Sequence, residues 1–185
     1  MIARLPAFVL VILLAACTPG SGIIAHRTVD YAYTFDELTS KPSLPLEIRG
    51  NPFAAPPERL AGVLSATMYD AHFGPPVAFV PAAGDVPLPY AVRLLFNGPI
   101  ASDHLHFCLG PPPPVAPAPG QRPVRLLAGF CRDGLALTYL TAELPAADGP
   151  DDPRFVAFVR MVTMALFPTD NPELRDRGCL YLRDC

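Results

Sequence analysis

The chain has 185 residues, 51% hydrophobic and 17% charged, with 25 prolines, a size that suits one domain. So few charges among so many apolar side chains exclude a disordered polyelectrolyte, and 14 basic against 17 acidic residues leave no surplus for nucleic acid. No collagen-like or solenoid period is present.

Met1–Arg4 carries one basic side chain, Leu5–Leu14 is an apolar run, and Ala15-Ala16-Cys17 follows. About ten apolar residues fall well short of the roughly 20 that a membrane-spanning helix needs. The run instead fits the hydrophobic region of a secretory signal peptide, with small residues before the cut. Leu14-Ala15-Ala16-Cys17 resembles the lipobox of bacterial lipoproteins. The resemblance implies that residues 1–16 are a signal peptide and that Cys17 is lipidated and becomes the mature N-terminus. It also implies attachment to a membrane through the N-terminal lipid. Two or more acyl chains hold a protein firmly, at about 0.8 kcal/mol per buried methylene. In that family the residue after the cysteine influences sorting, and Thr18 here favours the outer membrane over the inner, facing the periplasm.

Residues 17–27 read as a lipidated, flexible tether, rich near the anchor in glycine, serine and proline. Residues 28–185 read as a single α+β domain. Thr28–Phe35 alternates, with Val29, Tyr31, Tyr33 and Phe35 on one side, which predicts a strand. Leu44–Arg49 is a second strand, closed by a turn at Asn51-Pro52, where the asparagine can bond its own backbone. Pro56-Pro57-Glu58 opens a helix to about Ala71, with Leu60, Val63, Leu64, Thr67 and Met68 on its inward stripe. Further strands are predicted at Val77–Val80, Tyr90–Asn97, Val124–Arg132 and Leu135–Thr141. The last two are joined by Asp133-Gly134, a hairpin signal.

Seven prolines fall between Pro111 and Pro123, so residues 110–123 form a polyproline-like loop. A final helix runs from the Asp152-Pro153 cap to Phe167 and is apolar over more than one face. The order predicts a two-layer sandwich: an antiparallel sheet with two helices packed on one face. Leu46–Phe53 and Phe73-Gly74-Pro75-Pro76 also resemble segments of small uncharacterised bacterial lipoproteins, over about residues 44 to 170. Those proteins carry no established activity across.

Cys108, Cys131, Cys179 and Cys185 follow the lipobox cysteine, an even number in a secreted context. Of the three connectivities, pairing neighbours in sequence gives Cys108–Cys131 and Cys179–Cys185. His104, His106 and Cys108 would share one face of a strand, a weak metal constellation that an oxidised Cys108 could not join. No cofactor is implied. GxSxG, HExxH, P-loop and GxGxxG signatures are absent from the sequence. Ser102-Asp103-His104 are adjacent rather than convergent. Asp70 with His72, and Arg49 at a strand end, are the remaining polar groups of interest. The leading expectation is a non-enzymatic envelope lipoprotein that binds an envelope protein partner or supports an assembly. A module binding a small molecule or peptide in a groove between sheet and helices is the alternative, ahead of a hydrolase or metal enzyme.

Overall fold

The computed structural model describes residues 21–82, 88–99, 105–110, 115 and 119–172. Six strands form one sheet: β1 (Ile23–Val29), β2 (Ser43–Arg49), β3 (Ala78–Pro81), β4 (Tyr90–Phe96), β5 (Val124–Arg132) and β6 (Leu135–Leu144). Their order is β1-β6-β5-β4-β2-β3. Among the described residues three helices accompany it: α1 (Asp36–Thr39), α2 (Pro57–Met68) and α3 (Pro153–Leu166).

The fold is α+β with α2 and α3 packed against the sheet, but the sheet is mixed and not antiparallel throughout. β1, β6, β5 and β4 pair antiparallel, whereas β2 runs parallel to both β4 and β3. The cause lies in connectivity: α2 joins β2 to β3, and a helix between neighbouring strands returns the chain in the same direction.

Each element follows from local chemistry. Asp133 and Gly134 both adopt positive φ, 48° and 82°, which gives the β5–β6 hairpin a turn whose twist matches its strands. The Asp152 carboxylate caps α3 by accepting from the Arg154 N–H at 2.9 Å, and Pro153 occupies the first turn, where no donor is needed. Phe155, Phe158, Val159, Val162 and Leu166 bury the inner side of α3. Phe155 stacks edge-on against Phe53 at 4.9 Å, fixing the loop after β2 beneath the helix. The Thr138 hydroxyl donates to the Leu166 carbonyl at 2.7 Å, so β6 satisfies a terminal acceptor of α3.

The chain start differs from expectation. β1 begins at Ile23, inside the stretch read as tether, and its ladder on β6 ends at Val29. Beyond it the alternation no longer reports a strand, because Asp30 turns the backbone. Its carboxylate accepts from the Ala32 N–H at 2.8 Å, and its carbonyl accepts from Tyr33 at 3.0 Å. Tyr33 is then fully buried and donates to the Pro168 carbonyl at 2.8 Å. Burial pushes its phenol well above the usual range.

The sheet is covered on both faces. Leu46, Val92, Leu94, Phe96, Ala128 and Phe130 face the helices in the main core. On the other face Leu95, Leu127, Cys131 and Tyr139 form a second cluster with Phe107 and Cys108. The turn at residues 105–110 thus acts as a third layer over the centre of the sheet.

Candidate functional site

The polar groups of greatest interest separate into three places. The first is the underside of the sheet, where Cys108 and Cys131 are disulfide-bonded with Cα atoms 5.6 Å apart. The pairing joins the turn after β4 to the end of β5. Residues 105–108 form a turn and not a strand, so His106 and Cys108 do not share a strand face, and the bonded sulfur is no thiolate ligand. His106 is exposed. Among the described residues no group of three His, Cys, Asp or Glu side chains is placed to hold a metal ion. His104, Cys17, Cys179 and Cys185 lie outside the described residues, as do residues 111–114 and 116–118 of the proline-rich loop.

The second place is the end of the β5–β6 hairpin. Glu37 of α1 accepts from the Tyr90 hydroxyl at 2.6 Å and from the Arg132 guanidinium, while the Lys41 ammonium lies 3.8 Å from the Tyr90 ring centroid. Burial works to raise the Glu37 pKa. The hydrogen bonds from Tyr90 and Arg132, with the charges of Arg132 and Lys41, outweigh it, so the carboxyl sits below its ordinary value. Tyr90 and Arg132 are shifted upward in turn by bonding the same carboxylate. This network clamps α1 to the sheet. Asp70 and His72 do not meet: Asp70 pairs with Arg160 of α3 at 3.1 Å, while His72 is buried between the rings of Phe79 and Phe167.

The third place is a cleft of about 430 Å³ at the β3 edge of the sheet. Its floor is the end of β2 at Ile48, and one wall is the first turn of α2, with Pro57, Leu60 and Ala61. Val115, packed against the second cluster, forms the opposite wall. Pro81 and Ala82 close one end, Gly50 and Asn51 the other.

Two residues fix the shape of that far end. Gly50 has φ of 74°, and a Cβ there would lie 2.3 Å from the Phe96 carbonyl oxygen, so only glycine passes. Asn51 accepts from the Phe53 N–H at 3.0 Å and donates to the Ala55 carbonyl at 2.8 Å. That closes the turn expected at Asn51-Pro52 and aims the chain into α2. Arg49 and Glu58 supply the charged rim, and Arg49 already has an interaction partner.

The sequence pointed to Arg49 and to a groove between sheet and helices. The part played by the short β3 was not foreseen, since a four-residue strand leaves no mark of where its ladder stops.

No family model matches the chain, and no curated protein matches it. Among solved structures, the chain is similar to a PelC dodecamer from Paraburkholderia phytofirmans, with a TM-score of 0.42 and 11% identity. The match covers 80% of this chain and 99% of that one, a likeness too distant to bear on function. Among the described residues, no helix is long and apolar enough to cross a membrane.

Proposed function

We propose that the protein is a lipid-anchored component of a bacterial cell envelope, held by acyl chains on Cys17 and facing the periplasm, and that its domain binds an envelope protein and catalyses no reaction. Leu14-Ala15-Ala16-Cys17 at the end of an apolar run carries this reading. The Cys108–Cys131 bridge supports it, because such bonds persist in oxidising compartments. Thr18 favours the outer membrane. The binding role is supported by how the ionisable groups are used. Glu37, Tyr90 and Arg132 clamp α1, and Glu47 with Arg93 fastens the sheet to its underside, so these clusters are occupied with architecture.

Substituting Cys17 by serine tests the anchor. Cys17→Ser protein is expected in the soluble fraction or retained as unprocessed precursor, while wild type sediments with membranes. Equal distribution of the two forms with the same processed mass would overturn the reading. The cleft favours a second reading, a small-molecule site, since its volume and largely apolar lining fall in the usual range for such ligands.

A further inference from the structure

The cleft lies where β3 stops short of its neighbour. β2 and β3 pair from Ser43↔Ala78 to Leu46↔Pro81, and the last bond of the ladder is Ala82 N–H to the Leu46 carbonyl at 2.9 Å. Beyond that point β2 continues to Arg49, paired among the described residues only with β4. Because main-chain groups alternate sides along a strand, the N–H and C=O of Ile48 point the same way as those of Leu46, into the cleft. Among the described residues neither has a hydrogen-bond partner.

We propose that this cleft is a strand-addition site that takes one extended polypeptide segment of a partner protein, seated against Ile48 in the place β3 vacates. The proposal rests on the partner-binding reading above and names its site and its ligand class. Three features select an extended peptide over a compact molecule. The floor offers a main-chain donor and acceptor in strand geometry, the complement of another backbone. The walls come from opposite faces of the sheet, α2 on one and Val115 on the other, so the space is a slot lying in the sheet plane. Successive side chains of an added strand would point alternately at Leu60 and Ala61 and at Val115. From Leu46 to Gly50 the slot spans about four residues at roughly 3.3 Å each.

The rim adds a preference of charge. Glu58 is exposed at the mouth and has no ion-pair partner among the described residues, so a basic side chain in the incoming segment is favoured.

The test is selection of a displayed library of random short peptides on the full-length protein in detergent micelles. Enriched sequences are expected to alternate apolar residues, to lack central proline and to carry lysine or arginine. A synthetic copy should bind about tenfold more weakly, or worse, when the single amide facing Ile48 is N-methylated, since that removes a main-chain bond while keeping the side chains. Ala61→Trp, which fills the slot from a half-exposed helix position, should abolish binding. Glu58→Arg, a surface change that leaves the core untouched, should shift the selected sequences from basic to acidic. Failure to enrich any peptide overturns the proposal, as does a peptide whose binding ignores both N-methylation and Ala61→Trp. Cys17→Ser protein should select the same peptides. Wild-type protein that carries no lipid but still binds the peptides therefore counts against the lipoprotein reading alone, and a lipidated protein that enriches nothing counts against the cleft alone.

Discussion

Glu47 and Arg93 stand opposite one another in the parallel register of β2 and β4, with the Arg93 Nε 2.7 Å from the Glu47 carboxylate and each side chain 7% exposed. The same guanidinium donates to the Phe107 carbonyl at 2.6 Å and the Gly110 carbonyl at 3.0 Å. One side chain thus joins two strands to the turn that covers them.

Removing one partner leaves the other charged and buried. Arg93→Ala is expected to destabilise the domain by about 3–5 kcal/mol in urea unfolding. The double variant Glu47→Leu/Arg93→Met should lose clearly less than that, because no uncompensated charge remains. A double variant as unstable as the single one would show that the turn contacts, not the ion pair, dominate.

The disulfide fastens the same layer from its other end. The bridge spans 23 residues of sequence. Breaking it by Cys108→Ser should cost about 2–5 kcal/mol, a large share of the stability of a small domain. Shortening the stretch from Pro112 to Pro119 should matter much less. Calorimetry of both variants, with non-reducing peptide mapping of wild type, checks the pair. A free Cys108 thiol or stoichiometric zinc in the purified protein would contradict it.

Two glycines predict opposite signs. A Cβ on Gly62 of α2 would meet nothing within 4 Å, so Gly62→Ala should stabilise by about 0.5–1 kcal/mol through the unfolded chain and helix propensity. Gly50→Ala meets the Phe96 carbonyl and a positive φ, and should destabilise by about 1–3 kcal/mol. Thermal melts of the two variants decide both.

Acid should weaken the domain through Asp152 and Glu37. The Arg154 hydrogen bond, with backbone bonds from Asp148 and Arg154, holds the Asp152 carboxyl far below its ordinary value, and Glu37 is also lowered. Groups shifted down contribute stability that is present above their unfolded pKa, about 4, and is lost as pH falls through the folded value. Asp152→Asn keeps a capping side chain but cannot titrate. Its stability should therefore fall less steeply than wild type below about pH 4, measured by chemical unfolding across pH. Parallel curves would remove Asp152 from the account.

Much of this architecture is legible in the sequence. Asp133-Gly134 between apolar runs announces the hairpin, Asp152-Pro153 announces α3, and Cys108 pairs with Cys131, while Cys179 and Cys185 lie outside the described residues. The parallel pairing of β2 departs from the antiparallel sheet that the hairpin signals predict, although a helix between two strands already signals it. The third layer was missed for a different reason. β4 reads Tyr-Ala-Val-Arg-Leu-Leu-Phe and is buried on both faces, a near-continuous apolar run that marks a doubly covered strand. Arg93 inside that run was the visible clue, since a buried guanidinium requires several acceptors. The cleft was harder to foresee, because it depends on where the β3 ladder ends, and register is a tertiary property.

The claim that the protein is an envelope lipoprotein is tested most directly by mass spectrometry of the N-terminal peptide of full-length protein recovered from the membrane fraction of a bacterial host. The account predicts a mature chain beginning at Cys17, its sulfur carrying a diacylglyceryl group and its amine acylated. An N-terminal peptide that still begins at Met1, or a Cys17 with no lipid, would contradict it.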